Sequence, residues 1–401
     1  MTYLPVAGLQ RPNCRFTNAI RCLPNTPGGK LDSKKPAHLA LLESCTKANL
    51  YPEIERLNPS VIVPMGAFAC RAIDPEIDLR LHHGIPLECS DYIVFPMYHP
   101  AQGLHDPKKV TMLRTDWIRL KEYFHGTLHI PEDTHPNPDY KEATESDIRM
   151  IDPTIDMACD TEWSRKEGAY VFTYSQYPGT ARLIRAGSPL FKLLQAKLDR
   201  YQALIWFHNW LYDWDNITAL GLEMPRKRMR DSMVLCFHLG NMPQALKELA
   251  YRELGMEMQD FDDLVIPHSR PEVFDYYRAA YNYKWPKPEP YQYRDEDGEL
   301  KIKRPQSMNT KLKRFFTDYS KNPDKDVFNM WEENWVDEQQ MIEEKLGPWP
   351  GKDIAHVPFN EMLYYACRDA DALIRLIPIL KAMRRVVRFE PQEKWRSYAN
   401  N

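Results

Sequence analysis

Nowhere in the 401 residues does an uninterrupted apolar run reach the ~18 side chains that suggest a bilayer-crossing helix. No membrane span is therefore expected. The opening M-T-Y-L-P-V-A-G-L-Q-R-P has no basic stretch followed by an apolar one, so no secretory leader is expected either. No C-x-x-C pair occurs, and the eight cysteines (14, 22, 45, 70, 89, 159, 236 and 367) are scattered along the chain. That scatter excludes a disulfide framework and fits a reduced, cytoplasmic protein. There is no internal repeat. Charge of one sign is missing too: 53 Lys and Arg against 56 Asp and Glu leave a formal net charge of -3. Such a balance neither demands nor excludes nucleic acid, because an acidic metal site can coexist with local basic patches.

What is present is ordinary globular composition, 43% hydrophobic and 27% charged. At roughly 100–200 residues per domain, the length suits two or three domains. Residues 1–125 alternate strand-like and helix-like segments. R-F-T-N-A-I, S-V-I-V-P-M-G and Y-I-V-F-P-M-Y read as strands, while L-A-L-L-E-S-C-T-K-A-N-L and T-M-L-R-T-D-W-I-R-L-K-E-Y-F read as helices. Residues 126–150 are rich in Pro, His and acid and read as a linker. From 151 a second α/β pattern begins, with strands expected at 155–161, 169–175 and 180–186. A helix opened by Ser188 and Pro189 should follow, then strand A-L-I-W-F, then a helix near 211–221. Residues 268–350, rich in Pro, Tyr, Trp and charge, read as an insertion before a last amphipathic helix.

Chemistry enters at "MACDTEW", residues 157–163, where an apolar run ends in Asp160 and Glu162. Residues i and i+2 of a strand project on one face, so D-x-E offers two carboxylates to one site. "HNWLYD" places Asp213 just after a predicted strand, and "YYACRD" sets Tyr365 and Asp369 four apart on one face of a helix. Carboxylates are the hard oxygen ligands that a pair of divalent ions needs for phosphodiester hydrolysis. Asn209 either contacts substrate or caps the helix after it, and His208 reads as structural.

Taken in order, D-x-E, N-x-x-Y-D and Y-x-x-x-D resemble the three motifs of the proofreading 3′→5′ exonuclease domain of family A DNA polymerases, in the tyrosine subgroup of the DEDD exonucleases. "DSM" at 231–233, "LKELAYRELG" at 246–255 and "YACRDADA" at 365–372 are similar to further text of that family. The resemblance covers 151–385 and implies a ribonuclease-H-like fold and two Mg²⁺ or Mn²⁺ ions. It implies that Asp160 bridges both ions and that Glu162 and Asp369 hold the one carrying the nucleophile. Asp213 would act through water on the other ion, and Tyr365 would orient the attacking water. The 156 residues from Asp213 to Asp369 (369 − 213) exceed the family's spacing, which the insertion explains. The polymerase palm that follows such a domain is not in this sequence. A separately encoded DNA polymerase is thus an expected partner beside DNA itself, in a bacterial or phage-infected cell.

In front, "FTNAIRC" at 16–22, "LNPSVIVPMGAFA" at 57–69 and "MYHPAQGL" at 97–104 resemble uracil-DNA glycosylases of the iron–sulfur branch. The implied fold is an incomplete α/β/α glycosylase-like domain over 1–125. Asn18 would read the uracil edge, and His99 would support the uracil anion. On local evidence His99 serves equally as a turn residue before Pro100. Cys22 and Cys45 correspond to two of four cluster cysteines. The family's G-E-x-P-G loop, its uracil-stacking aromatic and its first cysteine pair have no match, and Cys14 does not restore the pair. Two thiolates cannot close a four-cysteine site. An iron–sulfur cluster and autonomous glycosylase activity are therefore not expected of this sequence alone. The Tyr/Trp-rich run 276–293 and the basic run Lys301–Phe316, with six basic and no acidic residues, suit either single-stranded DNA or a solvated insertion. Arg226, Lys227, Arg228 and Arg230 form a further basic cluster, open to phosphate or to solvent. Lys381, Arg384, Arg385 and Arg388 lie near a helix C-terminus, where the macrodipole alone favours cations. Three readings stay open: a metal-dependent exonuclease, a uracil-processing protein and a non-catalytic DNA-binding subunit.

Overall fold

A computed structural model describes residues 3–21, 36–105, 108–239, 242–284, 291–294, 296, 299–303 and 339–387. Cys22 and most of the basic run 301–316 lie outside them. The N-terminal part holds a three-stranded sheet in the order β1 (Val61–Ile62), β3 (Tyr92–Val94), β2 (Leu87–Cys89). β1 runs parallel to β3, with Val61 opposite Ile93, and β2 runs antiparallel to it. Helix Lys108–Phe124 covers the sheet by a stripe of Leu113, Trp117 and Leu120 at the spacing of one helical face. Trp117 and Leu120 join Ala7, Phe95 and Met97 in one core.

Two expectations change here. Residues 15–20 form no strand. Arg15 Nε, Thr17 Oγ1 and Arg21 Nη2 all donate to the carboxylate of Glu53, which is 6% exposed. Side-chain bonds of this kind hold the segment in place of a ladder. The helix expected over 39–50 is interrupted after Cys45 by a π turn, Thr46–Leu50. Pro52, early in the following helix Tyr51–Leu57, has no N–H to give the carbonyl four residues back. Thr46 Oγ1 donates to the Glu43 carbonyl at the start of that turn.

The remainder is built on a six-stranded mixed sheet in the order β4-β7-β6-β5-β8-β9. The strands are β4 (Asp139–Glu142), β5 (Met157–Ser164), β6 (Gly168–Ser175), β7 (Thr180–Arg185), β8 (Ile205–Phe207) and β9 (Met229–Asp231). β5, β6 and β7 form an antiparallel meander, and β4, β8 and β9 add in parallel. β4 and the helix Glu145–Met150 occupy the second half of the stretch that composition marks as linker. β4 is an edge strand held by charge rather than apolar alternation: Arg182 bonds Asp139 and Asp147, and Arg185 bonds Glu142. Thr144 and Asp147 close a capping box on the helix after it.

β5 alternates between two cores. Met157 and Cys159 face Phe191, Leu194 and Ile217 on one side, while Ala158 faces Leu373, Ile374 and Ile377 on the other. That second side belongs to a 29-residue helix, Phe359–Val387, packed across the sheet. The expected insertion start at 268 falls inside helix Phe261–Lys284, whose Leu264, Val265, Val273, Tyr277 and Ala280 are all buried. Beyond it lie hairpin β10 (Tyr291–Arg294) and β11 (Leu300–Lys303), and helix Gln339–Leu346. No described helix is long and apolar enough to cross a membrane.

Candidate metal centre

The period of two that sends Ala158 toward helix Phe359–Val387 sends Asp160 and Glu162 the same way. The helix answers with Asp369, one turn after Tyr365. One carboxylate oxygen from each of Asp160, Glu162 and Asp369 lies within 4.8 Å of the others. The β5–β6 register shifts between Glu162 and Trp163, a bulge that interrupts the ladder beside the acids before it resumes at Trp163 and Ser164, and Trp163 is exposed. A cleft of about 360 Å³ opens on Asp369 and Tyr365, walled by Glu257, Met258, Gln259, Tyr364 and Arg368.

Three acids so close disfavour their own charges. Burial raises Asp160 well above the usual carboxylate range, with Asp213, Asp369 and Glu162 adding to the shift. Burial and then Asp369 push Glu162 up to about 8, against the pull of Lys247. Burial lifts Asp369 to about 6, opposed by Lys247 and Arg368. Asp369 Oδ1 is buried without a hydrogen-bond partner. An acceptor-only oxygen left in that state, among two more carboxylates, fits a hard divalent cation such as Mg²⁺ or Mn²⁺.

Asp213 is not brought into this triplet. It is 2% exposed, and its Oδ1 accepts from the Thr161 N–H at 3.0 Å and the Thr161 hydroxyl at 2.7 Å. Asn216 donates to that same hydroxyl at 3.0 Å. Burial raises Asp213 to about 7 even so. Asn209 stands at the N-cap of helix Trp210–Ala219 in the left-handed region, φ 69°, and its side chain makes no cap. Asp231 fills that role. Its carboxylate accepts from the N–H groups of Asn209 (3.2 Å), Trp210 (3.1 Å), Met233 (2.8 Å) and Val234 (3.2 Å). It thus fixes the entry of the helix that carries Asp213. His208 bonds Ser232 Oγ at 2.8 Å and the Gln244 carbonyl at 2.6 Å, a structural role as expected.

Tyr365 is 8% exposed, and its hydroxyl accepts from Lys247 Nζ at 3.2 Å. Burial raises its pKa, so it remains a phenol. Lys247 belongs to the stretch L-K-E-L-A-Y-R-E-L-G, and neither its residue type nor its spacing shows this contact. Among the basic clusters, Arg230 Nη1 is bonded to the Lys227 and Met229 carbonyls, Arg226 stacks on Trp214, and Lys381 pairs with Asp156.

In the N-terminal part, Asn18 is exposed on the segment that Glu53 holds. His99 is exposed, with Nδ1 accepting from the Ala101 N–H at 3.2 Å, the turn arrangement its sequence position allows. Its Cβ lies against Gly66, where a side chain would come within 3.4 Å. Cys45 is half-buried.

Comparison with known proteins bears on this part. Residues 2–121 match the family described as the uracil DNA glycosylase superfamily. The chain is 25% identical to the type-4 uracil-DNA glycosylase of Saccharolobus solfataricus over 126 residues, covering 29% of this chain and 55% of that protein. The chain thus spans about half the length of the curated relative it matches.

Proposed function

We propose that the part of the chain from about 151 onward is a metal-dependent 3′→5′ exonuclease acting on DNA. The observation that carries this reading is the convergence of Asp160, Glu162 and Asp369 beside the Tyr365 hydroxyl and an open cleft. The 3′→5′ polarity and the choice of DNA come from the motif resemblance. Divalent ions held by Asp160, Glu162 and Asp369 would supply Lewis acidity and an activated water. The protein's own share is positional. The sheet fixes two carboxylates on one rigid face, and helix Phe359–Val387 fixes the third one turn from a phenol that can hold a water. Asp213 braces β5 through Thr161. In a 3′-labelled single-strand assay with Mg²⁺ or Mn²⁺, wild type should shorten the strand. Asp160→Ala should be slower by roughly two to three orders of magnitude, the scale of losing one transition-state contact. Equal rates would remove the site.

A second reading is favoured by the family match to residues 2–121: the N-terminal part recognises uracil in DNA and, in its strongest form, excises it. Asn18 would read the base and His99 would support the departing uracil anion. Release of free uracil from uracil-containing DNA in EDTA tests it. In the combined proposal, a uracil-binding region (1–125) is joined through 126–138 to a nuclease whose sheet begins with β4 at Asp139. DNA is the common ligand, and a separate polymerase is a partner of the nuclease.

A further inference from the structure

We infer that Lys247 is a positioning residue for the candidate nuclease, acting through the hydroxyl of Tyr365. The inference rests on the exonuclease reading above. Lys247 Nζ donates to the Tyr365 hydroxyl oxygen at 3.2 Å and to the Gln259 carbonyl at 2.5 Å. It also lies 4.7 Å from the centre of the Tyr365 ring and 3.9 Å from the Asp260 carboxylate. An ammonium has only donors. With Lys247 donating to the phenolic oxygen, the single phenolic proton must be given elsewhere. The cleft lies on that side, walled by Tyr365, Asp369 and Gln259. Tyr365 is thereby fixed as a donor toward a water in the cleft. Without Lys247 the hydroxyl is free to turn and donate to the carboxylates beside it, which would take its proton away from the water.

Its position in the helix supports a specific role. Lys247 is the second residue of helix Leu246–Leu254, where the helix dipole disfavours a cation. A cation kept at that place, 16% exposed and aimed at the acids, breaks a local rule of the kind that functional sites break. The same helix docks against helix Phe359–Val387 through Leu249, Ala250, Leu254, Ala372 and Leu376, so the Lys247–Tyr365 contact is carried by a packed pair.

The test uses the full chain with Lys247→Met, Tyr365→Phe and both together. It measures single-turnover shortening of a 3′-labelled strand in Mg²⁺ and, without DNA, calorimetric Mn²⁺ binding. Lys247→Met should slow cleavage about tenfold. It should also tighten Mn²⁺ binding severalfold, because a cation has left the carboxylates. The double variant should match Tyr365→Phe within about twofold, since the two act as one unit. Losses that multiply in the double variant would overturn the inference. So would an unchanged rate in Lys247→Met, or a fall of rate and Mn²⁺ affinity together, which marks local collapse. If wild type neither shortens the strand nor takes up Mn²⁺, the nuclease reading fails and the inference with it. If wild type cleaves and Lys247→Met cleaves as fast, only the inference fails.

Discussion

Glu162, lifted to about 8, and Asp369, lifted to about 6, set a pH dependence whose sign is fixed by burial. Their unfolded values lie near 4. Between about pH 4 and pH 8 the folded metal-free protein therefore binds more protons than the unfolded chain, and its stability falls as pH rises through that window. The melting temperature of EDTA-treated protein should drop by roughly a few degrees from pH 5 to pH 8. Mn²⁺ should reverse the trend and bind more tightly as pH rises, because ligation needs the carboxylates deprotonated. A metal-free melting temperature that climbs over that range would contradict the shared-charge picture. At this scale the sequence is legible where a residue's type and spacing already imply its partner. Asp160 and Glu162 two apart on a strand and Tyr365 and Asp369 four apart on a helix are such cases. Lys247 and Asp231 are not. Each acts on a residue far away in sequence, 118 positions in the case of Lys247 and Tyr365, and no local period reports such a pair.

Among the elements, the short segment around Asp133 has a structural part that its composition hides. Asp133 receives Arg368 Nη2 at 3.1 Å and Arg375 Nη2 at 2.7 Å, both from the helix that carries Asp369. Arg368 also donates to the Glu257 carbonyl, at 3.0 Å from Nε and 2.8 Å from Nη2, so one guanidinium ties the cleft wall to this segment. Nearby, Gly255 sits at φ 62° with the Pro131 carbonyl where a Cβ would stand, which leaves only glycine at ease there. Asp133→Ala removes the carboxylate that two largely buried cations share, leaving Arg375 only its 3.7 Å approach to Asp371, and should cost on the order of 2 kcal/mol by denaturant melts. The same substitution should weaken cleavage by loosening the turn before Asp369. Unchanged stability would mean the pair is idle. The second half of 126–150 is a strand and a helix rather than a linker for the same reason. β4 is an edge strand of Asp, Tyr, Lys and Glu, stabilised by two arginines of β7 rather than by apolar alternation. Strands with an apolar face, β5 to β8, fall close to where periodicity puts them. The strand expected at 15–20 does not form, because Glu53 takes its polar side chains.

For the whole molecule, the described residues of the two halves meet, outside the connecting segment, where the short helix Leu79–His82 packs on helix Leu246–Leu254. Arg80 pairs with Asp260 at 2.5 Å and approaches Glu248 at 3.9 Å, and His82 meets the ring of Tyr251 at 5.3 Å. The Arg80–Asp260 pair is largely exposed and adds little energy by itself. Each half has its own sheet and its own core. Functions resting on separate cores should therefore separate under substitution. In EDTA, where the proposed metal-dependent nuclease would be silent, the full chain should bind a uracil-containing strand more tightly than its thymine counterpart. Asn18→Ala should erase that preference, about tenfold at the low end of what one base-edge contact discriminates. In Mg²⁺, Asn18→Ala should leave strand shortening within about twofold of wild type, since distant sites act additively. Asp160→Ala should do the reverse, losing cleavage and keeping the uracil preference. A wild type that binds both strands alike in EDTA would remove the uracil reading and leave the nuclease reading to stand on its carboxylates. Loss of both properties from either substitution would mean that the halves work as one site, with the Arg80 contact and the Asp133 segment as the physical links between them.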